Sequence, residues 1–219
     1  MAFALQLTTA TFSTGLYGQA LASGRGVSTP SPLPQNGTFT AQVSFNTTVS
    51  TLAVMVGQLS AFWIGVKNGL LTANYGTGGG EQSLVSGTNV ADGQWHTARL
   101  VLNSSGATLL LDGVVTAQGS VTMTGAGASY TADMEVSTLG NGYNWSGLLD
   151  EVAVFSTGNA SPYTPSLVAD STPSILALYH LNGDGANSAA PTSSVPTNVT
   201  ATGGTNQNTM AWSSIRWSR

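Results

Sequence analysis

Short runs in which apolar and polar residues alternate recur along most of the chain. In the clearest run, residues 39–46, Phe39, Ala41, Val43 and Phe45 alternate with polar residues. A two-residue period is typical of a β-strand with one buried face. No stretch keeps an apolar period of 3.6 residues, so we expect a helical turn or two at most. Further strands are predicted within residues 3–12, 62–67, 70–75, 82–85, 148–155 and 175–180, and three more within residues 92–118.

Turn signals join several of these strands into hairpins. Asn68-Gly69 and Asp112-Gly113 are typical of type I′ turns, because both residues of each pair tolerate positive φ. Residues 52–56 are continuously apolar, which indicates a strand covered on both faces. Prolines 30, 32 and 34 predict a loop or edge segment over residues 22–37.

Many short strands without helices predict an all-β protein. Two facing antiparallel sheets, as in a jelly-roll sandwich, would bury the apolar faces of these strands. The length of 219 residues fits one such domain plus an extended C-terminal tail. We therefore divide the chain into a jelly-roll domain (1–157), a connector with one short strand (158–194) and a tail (195–219).

Charge and composition exclude several classes of function. Only 6% of residues are charged and the net charge is −4, so no basic surface is predicted for nucleic acid. Cysteine is absent, which excludes disulfides, zinc-thiolate sites and cysteine nucleophiles. A surface made polar by uncharged residues favours a packed array or an extracellular particle.

We expect no signal peptide at the first residues, because they contain no Lys or Arg and because Gln6 and Thr8 interrupt the apolar run. No stretch has the length of a transmembrane helix, so membrane insertion is not expected. We therefore expect synthesis in the cytoplasm, followed by a location on a virion surface or outside the cell.

Five motifs carry a resemblance to a known family. In chain order they are Gly15-Leu-Tyr-Gly-Gln-Ala-Leu21, Gly37-Thr-Phe-Thr-Ala-Gln-Val43, Gly93-Gln-Trp-His with the later Leu111-Asp-Gly-Val, Leu139-Gly-Asn-Gly, and Gly147-Leu-Leu-Asp-Glu-Val. Their order resembles that of the laminin-G-like, concanavalin A-like jelly-roll family over residues 1–157. The resemblance implies a β-sandwich used in adhesion or carbohydrate binding.

The last residues resemble a different family. Val195 to Trp212 is similar to the first two strands of a fibronectin type III domain, although too few residues remain for a whole domain. An unpaired apolar segment is a natural docking element, so we expect it to pack on a neighbouring subunit. The residues predicted to make this assembly contact are Val195, Val199, Met210, Trp212 and Trp217.

Two sets of carboxylates are candidates for chemistry. Asp133 and Glu135 would share one face of a strand, and their spacing is compatible with general acid and base catalysis on a sugar. The favoured interpretation is that they lie on a solvated strand face. The family resemblance implies calcium, for which the ligands would be Asp92, Asp112 and Asp150. For Asp150 the favoured interpretation is structural: a carboxylate that accepts hydrogen bonds from backbone amides of a nearby turn. No other cofactor is implied.

Aromatic and histidine residues complete the candidate sites. The loop containing Asn141, Tyr143, Asn144 and Trp145 is the predicted glycan site, since sugar rings stack on aromatic faces. Trp63 is interpreted as a core residue. The two histidines, at positions 96 and 180, are interpreted as packing or hydrogen-bonding residues.

Three functional classes follow from these observations. The first is a non-enzymatic surface or structural protein of a virion, a decoration or tail- or fibre-associated component of a tailed bacteriophage that presents an adhesion domain. Its expected partners are further copies of the chain, other virion proteins and a cell-surface or environmental glycan. The second class is a free-standing carbohydrate-binding lectin module, and the third is a glycoside hydrolase.

Overall fold

The computed structural model describes residues 4–34, 37–77, 80–120, 132–140, 142–158 and 174–189. Within these residues the chain forms thirteen β-strands and no helix, as the two-residue apolar period predicted. The strands are β1 (Leu5–Thr14), β2 (Gln19–Ser28), β3 (Phe39–Asn46), β4 (Ala53–Gln58), β5 (Phe62–Lys67), β6 (Leu70–Thr77), β7 (Gly80–Asn89), β8 (Trp95–Asn103), β9 (Gly106–Leu111), β10 (Val114–Gly119), β11 (Met134–Val136), β12 (Leu148–Phe155) and β13 (Ile175–Tyr179).

The strands form two facing antiparallel leaves. The first leaf has the order β10-β9-β8-β3-β12-β13, and the second has the order β1-β2-β11-β4-β5-β6-β7. A single pairing of Leu149 with Leu21 connects the leaves on one side. The rings of Phe39 and Phe62, one from each leaf, meet with centroids 5.1 Å apart. The predicted jelly-roll sandwich is therefore confirmed.

Local features of the sandwich agree with the sequence pattern. Asp112 and Gly113 have φ values of 51° and 80°, and Asn68 and Gly69 have values of 55° and 77°, as type I′ turns require. All six residues of β4 are buried, which confirms that this strand is covered on both faces.

Two predicted elements have the wrong extent. β2 continues to Ser28, inside the segment predicted as loop, because it pairs with β1, β11 and β12. The glycines that suggested a loop make room for packing: a Cβ at Gly26 would lie 2.7 Å from the Leu5 side chain. β7 has ten residues where a strand over 82–85 was predicted, because pairing with β6 overrides its weak β-propensity.

Several predicted features lie outside the described residues. These are the tail residues Val195, Val199, Met210, Trp212 and Trp217 and most of the connector before and after β13. In the part of the chain that is described, no helix is long and apolar enough to cross a bilayer.

Candidate functional site

A row of paired residues crosses the outer face of the second leaf. It runs from Glu135 in β11 through Gly57 in β4, Trp63 in β5 and Asn74 in β6 to Ser83 in β7. Residues paired in this way share one face of a sheet and lie about 4.8 Å apart across the strands. The neighbours of Trp63 along β5, Phe62 and Ile64, are in the core, so the half-buried Trp63 ring lies on the opposite face.

Glycines allow close packing beside Trp63. A Cβ at Gly57 would lie 2.8 Å from the Cβ of Trp63 and 3.2 Å from Cδ1 of Leu139. A Cβ at Gly76 would lie 2.8 Å from the carbonyl oxygen of Ser60. Gly57 is buried with the rest of β4, so these glycines make room for close packing of the sheet and of Leu139 around the indole.

Trp63 lies in a cleft of about 250 Å³. Leu59 and Tyr143 are 50% and 48% exposed, so two large side chains of the cleft remain accessible to solvent. Concave, mainly apolar sites with a few polar groups are typical of small-molecule binding. The lining residues are Leu52, Val54, Gln58, Leu59, Ser60, Ala61, Phe62, Trp63, Asn74, Gly76, Glu81, Leu139 and Tyr143.

The wall that carries Tyr143 is fixed by hydrogen bonds. The amide of Val54 donates to the carbonyl of Tyr143 (3.1 Å), and the amide of Trp145 donates to the carbonyl of Ser137 (3.0 Å). The hydroxyl of Thr138 donates to Oδ1 of Asn144 at 3.0 Å. This segment is therefore held against β4 before any ligand arrives, which lowers the entropic cost of binding.

Polar groups meet at the β6 and β7 side of the cleft. Nδ2 of Asn74 donates to Oε2 of Glu81 (3.2 Å) and to Oγ of Ser83 (3.4 Å). Glu81 and Ser83 are exposed. Amide, hydroxyl and carboxylate groups at the edge of an aromatic platform can hydrogen-bond to the hydroxyls of a bound molecule.

The predicted glycan residues have different locations. Tyr143 lines the cleft, Asn144 is exposed beside it, and Asn141 lies outside the described residues. Trp145 is only 8% exposed and packs edge-on against Phe45 with ring centroids 5.8 Å apart. Because so little of its side chain is accessible, Trp145 does not offer the stacking platform that the sequence predicted.

Trp63 is the aromatic residue that the sequence interpretation assigned to the core. The alternation of Phe62, Trp63 and Ile64 already indicated that Trp63 points away from its two neighbours. Asn74 and Glu81 carried no signal of their own, because they reach the cleft only through the pairing of β5, β6 and β7.

The three aspartates that the family resemblance implied for calcium are not assembled into one site. Asp92 and Asp112 meet at His96, with contacts of 3.3 Å to Nε2 and 2.8 Å to Nδ1. Within the described ranges, no group of three or more acidic, histidine or cysteine residues could hold a metal ion. These residues therefore do not fit the implied calcium.

The two histidines form hydrogen bonds, as interpreted from the sequence. Burial lowers the pKa of His96, but hydrogen bonds and charge interactions with Asp112 and Asp92 outweigh this effect and raise the pKa overall. Nδ1 of His180 donates to Oε1 of the fully buried Glu151 at 2.6 Å. This hydrogen bond raises the pKa of His180 despite its partial burial.

Asp150 has the structural role that was favoured over calcium binding. Its carboxylate accepts hydrogen bonds from the backbone amides of Tyr17 (3.0 Å) and Glu151 (2.9 Å). The bond to Tyr17 attaches the turn between β1 and β2 to β12. Burial raises the pKa of Asp150 to about 7, in spite of these two donors.

The carboxylates considered for general acid and base catalysis do not form a pair on one strand. Asp133 is exposed and precedes β11, whereas Glu135 is 7% exposed and binds Nη2 of Arg25 at 2.9 Å. The expected solvated strand face is therefore wrong for Glu135, whose carboxylate forms a structural ion pair.

Comparisons with known proteins agree with this architecture. Domain 4 of AbnA, a GH43 extracellular arabinanase from Geobacillus stearothermophilus, was solved in complex with arabinotriose; it is similar with a TM-score of 0.56 and 15% identity over 68% of this chain and 76% of that one. The binding domain of Paraclostridial Mosquitocidal Protein 1 has a TM-score of 0.57 and 11% identity, over 71% of this chain and 44% of that one. Mouse laminin alpha1 domains LG4-5 have a TM-score of 0.51 and 16% identity, over 72% and 47%.

These likenesses establish the fold, and a family model adds the relationship in sequence. No curated protein sequence matches the chain significantly. A laminin G model, described as the concanavalin A-like lectin/glucanases superfamily, matches residues 21–159, which is more than half of the chain. The chain belongs to the concanavalin A-like lectin/glucanases superfamily.

Proposed function

We propose that this protein is a non-catalytic carbohydrate-binding module whose ligand site is the Trp63 cleft. The observation that carries the proposal is the half-buried indole of Trp63 beside Gly57 and close to Tyr143. One apolar face of a sugar ring stacks on such a platform, while its hydroxyls bind to Asn74 and Glu81. Domain 4 of AbnA, solved with arabinotriose, supports the proposal as an analogy of fold.

The carboxylates favour binding over hydrolysis. Glycoside hydrolysis uses two carboxyl groups that flank the scissile bond. Among the described residues that line the cleft, Glu81 is the one carboxylate. A sugar held there would meet an aromatic platform and hydrogen-bonding groups without an acid and base pair.

The finer part of the proposal concerns where the module acts. We propose presentation on a virion, as a decoration or tail- or fibre-associated protein of a tailed bacteriophage, in contact with further copies of itself or other virion proteins. The low content of charged residues, 6%, supports a surface adapted to a packed assembly. A free-standing lectin module is the alternative, and it would use the same cleft.

Glycan-array binding of the intact chain and of two cleft variants tests the carbohydrate proposal. We expect Trp63→Ala and Tyr143→Ala each to weaken binding by about tenfold or more, because central aromatic residues dominate such interfaces. Val114→Ala is the matched control: Val114 is 66% exposed and does not line the cleft. Equal binding by all four proteins, or no binding to any glycan, would reject the proposal.

A further inference from the structure

The described lining of the cleft contains a single charged side chain. Of its described lining residues, only Glu81 is charged at neutral pH, and none is Lys, Arg or His. Glu81 is exposed, and its Oε2 accepts a hydrogen bond from the neutral amide of Asn74. A ligand that rests on Trp63 therefore meets one negative charge at the β7 side of the platform.

Among the described residues, the cations Arg25 and Lys67 do not offset this charge. Arg25 is engaged with Glu135 at 2.9 Å, so that pair is neutral as a whole. Lys67 is exposed at the end of β5, four residues beyond Trp63. Four residues of strand span about 13 Å, more than the screening length of about 8 Å at physiological ionic strength.

The geometry points to a selectivity that deepens the proposed function and rests on it: the cleft accepts uncharged sugars and discriminates against sugars that carry a carboxylate or a sulfate. A sugar hydroxyl can donate to the Glu81 carboxylate, whereas an ionised acidic group offers only acceptors. An acidic sugar in the cleft would therefore lose a hydrogen bond and bring two negative charges together. Glu81 is the specificity-determining residue in this account.

The size of the effect follows from Coulomb's law. Two negative unit charges about 6 Å apart in a solvent-exposed cleft should weaken binding about fivefold. Salt should reduce this discrimination, because the screening length falls to about 3 Å at 1 M ionic strength. A steric exclusion of acidic sugars would not respond to salt in this way.

Array binding to matched pairs of oligosaccharides tests the inference. Each pair consists of a neutral glycan and the same glycan with a sialic acid, a uronic acid or a sulfate ester, measured at 0.15 M and 1 M salt. Glu81→Gln removes the charge and keeps an oxygen that can accept from Asn74. Asp92→Asn is the control, because it makes the same change in net charge in an exposed loop before β8, away from the cleft lining.

We expect the intact chain to prefer the neutral member of each pair about fivefold at low salt. The preference should disappear in Glu81→Gln and persist in Asp92→Asn. Equal binding of neutral and acidic glycans by the intact chain would overturn the inference but leave the proposed function in place. A preference that survives both Glu81→Gln and high salt would also overturn it. If the intact chain binds no glycan at all, the proposed function is rejected instead.

Discussion

At the scale of single residues, the interior of the sandwich contains ionisable groups that pack against structural partners. Asp150 and Glu151 are both fully buried on β12, and His180 binds Glu151 just after β13. Tyr179 is fully buried as well; its hydroxyl donates to Ser28, and burial raises its pKa. Titration of Asp150, His180 and Tyr179 should therefore appear in the stability of the fold.

Stability should fall as the pH rises from about 4 to about 7. The pKa of Asp150 is raised to about 7 in the folded protein, so the folded state keeps a proton that the unfolded chain has already released. Its contribution is thus complete below the unfolded pKa and is lost as the pH rises through the folded pKa. The raised pKa of His180 acts in the same direction at somewhat higher pH.

Chemical denaturation at several pH values measures this effect. One retained proton corresponds to a decrease of at most about 1.4 kcal/mol per pH unit in the free energy of unfolding. Asp150→Asn mimics the protonated carboxyl and should flatten the slope between pH 4 and pH 7. A slope that is unchanged in this variant would contradict the assignment.

At the scale of elements, the second leaf positions the cleft by omitting side chains. Gly57 and Gly76 make room for close packing around Trp63, and the segment that carries Tyr143 is hydrogen-bonded to β4. The cleft thus depends on strand pairing and on the absence of Cβ atoms, as well as on its aromatic residues.

Gly57→Ala should damage both the cleft and the leaf. Its new methyl group would lie 2.8 Å from Cβ of Trp63 and 2.9 Å from the carbonyl oxygen of Phe62. Overpacking of this kind costs about 1–3 kcal/mol. Gly87→Ala is the matched control, because a Cβ at Gly87 meets nothing within 4 Å. If thermal unfolding and glycan binding change equally in both variants, the space beside Gly57 has no special role.

Strand pairing also explains which parts of the site could be predicted from the sequence. The alternation in β5 fixes the side on which Trp63 lies, and the Asp112-Gly113 turn could be predicted because two residues determine it. By contrast, Trp145 lies in a loop whose sequence has no regular apolar period. Its burial depends on contact with Phe45 of β3, which the local sequence does not reveal. Glu81 and Asn74 become neighbours only when β6 pairs with β7.

At the scale of the whole molecule, the sandwich extends beyond the region that the sequence motifs covered. β13 pairs with β12 and adds the fully buried Leu178 and Tyr179 to the interior. The five motifs end before β13. A strand was predicted there, but its pairing with β12 is a long-range contact that no local pattern reveals. A chain shortened after Gly158 would therefore lose part of its core.

The predicted assembly role of the tail is tested by shortening the chain after Ala189, which retains β13. We expect the full chain to form a defined oligomer and the shortened chain to be monomeric, because the apolar residues of 195–219 would then be missing. Light scattering gives both masses, and circular dichroism checks that the sandwich is retained. A monomeric full chain, or an oligomer that survives the truncation, would contradict an assembly role for this segment.

The central claim is that a sugar binds on Trp63, and a crystal structure with the tightest-binding oligosaccharide from the array tests it most directly. We predict a sugar ring stacked on the indole of Trp63, close to Tyr143, with hydroxyls in contact with Asn74 and Glu81. A ligand bound elsewhere, for example beside Asp92 and Asp112, with the Trp63 cleft empty, would contradict the account.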